Sequence, residues 1–136
     1  MVFPPEHFDV IINCSSVEHV GLVGRYGTTT ARPDGDLQAM AILKTLTRRG
    51  GQMLMTIPVG RDRVFQPLHR VYGTQRLPRL LAGWEVMRDE YWAKDEQNRW
   101  IRVSKDTALN VESVRWYYGL GLFVLRRPRA SPEESC

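Results

Sequence analysis

Phe8-Asp9-Val10-Ile11-Ile12-Asn13-Cys14, followed at once by Ser15-Ser16-Val17-Glu18-His19, decides how the rest of the chain is read. The first seven residues form a nearly continuous apolar run with β-branched members. That pattern predicts a strand buried on both faces, as a central parallel strand is. The polar residues directly after it fall where α/β proteins keep their chemistry, at the carboxyl end of a strand. A Gly-rich stretch, Gly21-Leu22-Val23-Gly24-Arg25-Tyr26-Gly27, comes next.

The clearest helix lies downstream. Leu37, Met40, Leu43 and Leu46, with Ile42, recur at helical spacing. Asp34 or Asp36 can cap its start by accepting free backbone N–H groups. Lys44, Arg48 and Arg49 suit the negative end of the helix dipole. Gly50-Gly51 then predicts the stop, so the helix is expected over residues 36–49. Gln52 to Pro58 reads as a second buried strand ended by proline. Strand, helix and strand in this order predict a parallel βαβ unit. The link into the helix is about 20 residues, a length usually functional or mobile.

The remainder is less regular. A long loop is expected over 59–73 and a short helix over 74–81. A strand over 84–92, a turn at 95–98 and a return over 100–103 suggest a hairpin. Ser104 can cap a short helix, and Leu120 to Leu125 reads as a final buried strand. One domain over 1–128 and a disordered tail over 129–136 complete the organisation.

Composition sets bounds on this reading. Hydrophobic residues make up 43% and charged residues 25%, enough apolar material for a core and too little net charge for default disorder. No apolar run approaches the roughly 20 residues of a membrane span, and no secretory signal precedes the first strand. Two cysteines are too few for a disulfide scaffold. Cys14 reads as a small core residue, and the expected compartment is reducing and cytoplasmic. The formal charge of +4 and pI near 9.4 permit weak attraction to nucleic acid. The arginines are dispersed, however, and mark no concentrated footprint. Trp84, Trp92, Trp100, Trp116 and Tyr117-Tyr118 are expected mostly to pack the core and hairpin.

The order of motifs resembles the C-terminal half of class I S-adenosylmethionine-dependent methyltransferases. Residues 8–12 with Ser16 to His19 resemble the fourth strand and its polar-acidic end. The helix, Gly50-Gly51 and Met53 to Pro58 resemble the next helix and the fifth strand. Leu120 to Leu125 resembles the antiparallel seventh strand. A narrower similarity is to the methyltransferase-like domain-of-unknown-function 268 family. It is carried by residues 15–22, Gly24-Arg25-Tyr26-Gly27, Asp34-Gly35-Asp36, Pro58-Val59-Gly60, His69-Arg70-Val71-Tyr72-Gly73 and Gly83-Trp84-Glu85-Val86. The implied fold is α/β, a partial Rossmann-like sheet with an antiparallel last strand.

The resemblance also implies roles. Glu18 and His19 would be the catalytic pair beside an acceptor, able to take a proton near neutral pH. Arg25, Tyr26, Asp34, Asp36, His69, Arg70 and Tyr72 would bind substrate, with Arg25 able to clamp an anionic group. Ser15 and Ser16 would border the cofactor. The plainer alternatives are loop anchoring, helix capping and a packed loop. Glu18, His19 and His69 match no compact metal spacing, so no metal is expected.

The family's cofactor is S-adenosylmethionine, held by a Gly-rich turn after the first strand and an acid ending the second. Neither feature is present here. The chain is therefore expected to be shortened, and weakly active or inactive alone. Whether it holds the cofactor itself stays open. A small-molecule or glycan-like acceptor is implied. A non-catalytic subunit pairing its open sheet edge with a second copy or partner is the alternative, and a basic nucleic-acid-binding module the third.

Overall fold

The computed structural model describes residues 2–24 and 29–129. Its elements are β1 (Phe8–Cys14), α1 (Gly35–Leu46), β2 (Thr47–Val59), β3 (Arg63–Phe65), β4 (His69–Val71), α2 (Arg76–Leu81), β5 (Glu85–Lys94), β6 (Trp100–Val103), α3 (Lys105–Leu109) and β7 (Gly119–Arg126). A short 3-10 turn, Val17–His19, follows β1.

Five strands make one sheet in the order β1-β2-β7-β5-β6. β1 runs parallel to β2, from Val10 opposite Gln52 to Cys14 opposite Thr56. β7 lies between β2 and β5 and is antiparallel to both. The expected parallel βαβ unit, the hairpin of β5 with β6 and the antiparallel last strand are all present. The Ser104 cap forms as well, its hydroxyl oxygen accepting from the Thr107 N–H at 3.1 Å. The 59–73 stretch is not a plain loop, because β3 and β4 pair within it as a separate two-stranded ribbon.

The core fills one side of the sheet. Met53, Met55, Ile57, Phe123 and Leu125 meet Met40 of α1, Leu77 and Leu80 of α2, and Ala108 and Leu109 of α3. Trp84 joins this core, whereas Trp116 stands exposed. The opposite face carries Ile12, Cys14, Leu54, Leu122 and Val124 around an open groove of about 320 Å³.

This arrangement corrects the expectation for β1. Among the described residues it has one strand neighbour, and Val10 and Ile12 are 50% and 73% exposed. Asn13 points toward the core, its amide 3.8 Å from the sulfurs of Met40 and Met53. β1 is thus an edge strand covered on one face, and Cys14 is exposed rather than core.

The helix end is corrected too. α1 stops at Leu46, and Thr47 is already extended, its hydroxyl bonded to the Leu43 carbonyl at 2.8 Å. Arg48-Arg49-Gly50-Gly51 belongs to β2. Phe8 pairs with Thr47 but Val10 with Gln52, so β2 bulges across these residues. Gly50 takes φ 76° there. A Cβ on Gly51 would sit 2.8 Å from the Arg48 carbonyl oxygen and 2.9 Å from that of Asp9. The glycines serve a bulge and a close backbone approach, not a helix cap.

Candidate functional site

The chain turns sharply as β1 ends. Ser15 N–H still bonds to the Thr56 carbonyl at 2.9 Å, but Ser15 itself takes φ 47°. Its hydroxyl lies 3.0 Å from that of Thr56. The following 3-10 turn buries Val17 in the core and, beside it, Glu18, which is 2% exposed.

His19 is held from one side. Its Nδ1 lies 2.5 Å from the Leu68 carbonyl oxygen. A carbonyl only accepts, so Nδ1 carries the proton, and Nε2 faces Glu18 Oε1 at 3.6 Å. Glu18 Oε2 is buried and has no hydrogen-bond partner. Burial holds the Glu18 carboxyl above its usual range, opposed by its own backbone N–H and by His19.

Ser15, Glu18, His19 and His69 line one cleft of about 250 Å³ with Pro58, Trp100, Tyr118 and Leu120. The His69 ring lies 5.1 Å from Tyr118 and 6.5 Å from His19. The cleft sits where β1, β2 and β5 end and β6 and β7 begin, so each wall comes from a different part of the chain. A larger groove of about 490 Å³ between α2 and α3 has mostly apolar walls and gathers no such set of ionisable groups.

The other expected site residues fall elsewhere. Asp36, Arg70 and Tyr72 form a buried network behind the cleft. Asp36 is 0% exposed and accepts from the Tyr72 hydroxyl at 2.9 Å and from Arg76 at 2.6 Å. Arg70, 2% exposed, donates to the carbonyls of Val20 at 2.5 Å and Arg32 at 3.1 Å, and more distantly to those of Glu18 and Pro33. Its Nε is 3.8 Å from Asp36. The Arg70 guanidinium, expected to bind substrate, is occupied by backbone carbonyls and a carboxylate. Burial and the Asp36 carboxylate push the Tyr72 phenol well above its usual range.

Asp34 occupies the α1 N-cap position without a side-chain cap, and pairs with Arg76 and Arg79 instead. Ser16 lines a different hollow, with Asn13, Val20 and Ile42 between β1 and α1. Arg25 and Tyr26 lie outside the described residues, as does the 130–136 stretch of the expected tail. Trp100 and Tyr118 were expected to pack the hairpin and core; both line the cleft. Among the described residues no group of three or more His, Cys, Asp or Glu is placed to hold a metal, and no helix is long and apolar enough to cross a membrane.

Solved structures with this arrangement define its class. The 1,6-didemethyltoxoflavin-N1-methyltransferase of Burkholderia thailandensis, with bound 1,6-didemethyltoxoflavin and S-adenosylhomocysteine, aligns at TM-score 0.59 and 16% identity, over 93% of this chain and 47% of its own. A protein of Bacillus halodurans C-125 described as a methyltransferase aligns at 0.58 and 16%, over 94% and 73%. The cyclase SpnF aligns at 0.56 and 16%, over 96% and 54%. The fold is methyltransferase-like α/β, and this chain spans about half the length of the first of these proteins. The cyclase shows that the fold alone does not fix the reaction. The chain belongs to the family described as Caenorhabditis protein of unknown function, DUF268, whose model matches residues 4–118. No curated protein matches the sequence.

The described residues do not by themselves fit S-adenosylmethionine. A nucleoside cofactor of this kind needs a backbone cradle at a strand-to-helix turn and a carboxylate for its ribose hydroxyls. The one carboxylate of the cleft, Glu18, is turned to His19. β1 leads into a 3-10 turn that buries Val17 and Glu18, not into a glycine turn opening a helix.

Proposed function

We propose that this chain forms the acceptor side of an S-adenosylmethionine-dependent methyl transfer to a small-molecule or glycan-like acceptor. Glu18 and His19 hold or take the proton of the acceptor group, and His69 borders it. Ser15 orients it through its hydroxyl, while Ser16 stands on the cofactor side. One observation carries the reading: Glu18, with a buried carboxyl oxygen that lacks a partner among the described residues, lines a cleft at the carboxyl end of β1 beside an imidazole whose Nδ1 is held by a carbonyl. Positioning supplies most of the rate in such a site, and the base is needed only where a proton must leave.

The test is isothermal titration of the chain with S-adenosylmethionine and S-adenosylhomocysteine after sizing by light scattering. Micromolar binding supports a cofactor pocket in the folded chain or across a dimer. No binding by a folded monomer sinks methyl transfer by this chain alone.

A second reading has its own support. β1 presents an unpaired edge with Val10 and Ile12 exposed and no charge or proline from Val10 to Cys14. Such an edge lacks the usual protection against strand pairing. A second copy added to β1 would cover it and extend the sheet. A monomer by light scattering at high concentration removes this reading.

A further inference from the structure

We infer that the cleft takes an uncharged, ring-borne hydroxyl, as a saccharide or a phenol presents it, and turns away carboxylates and phosphates. The inference rests on the acceptor-side reading and names the chemical class of its ligand.

The first ground is the unmet hydrogen-bonding capacity. Glu18 Oε1 faces His19, whereas Oε2 is buried with no donor. Leaving such an atom unmet costs about 1–3 kcal/mol, more when charged. A ligand that donates a hydrogen bond recovers this. A carboxylate or phosphate brings this oxygen only lone pairs.

The second ground is the make-up of the described walls. Among the described residues lining the cleft none is a lysine or arginine. Arg70, close behind it, is committed to carbonyls and Asp36.

The third ground separates a hydroxyl from an ammonium. Burial favours the uncharged carboxyl of Glu18, which can both donate and accept, as a hydroxyl does. Pro58, Trp100, Tyr118 and Leu120 offer apolar surface for the face of a ring whose edge hydroxyl meets Glu18.

The experiment is an NMR titration of the full ¹⁵N-labelled chain, following the Trp100 indole N–H, assigned with Trp100→Phe. Methyl β-D-glucopyranoside and methyl β-D-galactopyranoside form one arm, catechol the other. Glucuronate and protocatechuate are the matched anions. A saturable shift with a neutral probe, and affinity weaker by about tenfold or more for its anion, is the expected result. The responding arm identifies the source as saccharide or phenol. Glu18→Met, which keeps bulk but removes the acceptor, should weaken the neutral probe by a similar factor. The comparison of neutral and anionic probes on the unaltered chain stands even if that variant does not fold. Equal or tighter binding of the anions overturns the ligand class but leaves the cleft as a binding site. No shift with any probe overturns both the class and the acceptor-side reading.

Discussion

Asp36→Asn isolates the buried network behind the cleft. The substitution keeps the shape of the side chain and removes its charge. In the native protein the carboxylate accepts from Tyr72 at 2.9 Å and Arg76 at 2.6 Å, and lies 3.8 Å from Arg70 Nε. Arg76 is partly exposed and can turn to water or to Asp34. Arg70, 2% exposed, cannot, and its charge is left without a counter-ion. Breaking a buried pair from one side costs about 3–5 kcal/mol. Tyr72→Phe removes a single hydrogen bond and keeps both charges, so about 1 kcal/mol is expected. Against a typical stability of about 5–15 kcal/mol, the first is a large fraction and the second is not. Urea unfolding followed by tryptophan fluorescence reads both, with a lower midpoint at unchanged slope as the sign of lost stability. A cost for Asp36→Asn no greater than for Tyr72→Phe would refute the claim that the carboxylate balances Arg70. The same residue would then be open to the substrate role its sequence context suggests.

Three further outcomes are expected. The folded-state pKa of Glu18 is raised above its ordinary value of 4.5, so its contribution to stability is full below that pH and is lost as pH rises through the folded value. Glu18→Gln should remove this part of the pH dependence; an unchanged stability–pH curve would contradict the burial effect. Gly51→Ala places a methyl 2.8 Å from the Arg48 carbonyl oxygen and should cost about 1–3 kcal/mol in thermal unfolding. A neutral effect would mean that the bulge relaxes freely. Ser104→Ala removes the α3 cap and should cost about 0.5–2 kcal/mol by the same assay, with no change meaning that water replaces the hydroxyl.

What the sequence reveals is governed by distance along the chain. The parallel βαβ unit is legible because its apolar periods are local, and so is the Ser104 cap. Whether β1 is central or at an edge depends on how many strands flank it, which residues 8–14 do not encode. Arg48-Arg49-Gly50-Gly51 has the local chemistry of a helix end, yet β1 on one side and Arg127 on the other draw it into the sheet. Asp36 looks like a helix cap and Arg70 like a substrate-binding loop residue until each is seen against the other. At the cleft, Ser15, Glu18 and His19 are readable from their place after a strand, and His69 from the resemblance. Trp100 and Tyr118 carry no such signal, since β6 is the far edge of the sheet from β1 and only the folded cleft brings them together with Glu18.

The Arg70 side chain has a consequence for design. It grips Glu18 and Val20 on one side of the β1–α1 connection and Arg32 and Pro33 on the other. The Arg32 N–H also bonds to the Gly21 carbonyl at 2.9 Å. These contacts lace the connection shut at its neck. A redesign of the cleft should therefore leave Arg70 in place, since one side chain ties both ends of this neck behind Glu18 and His19.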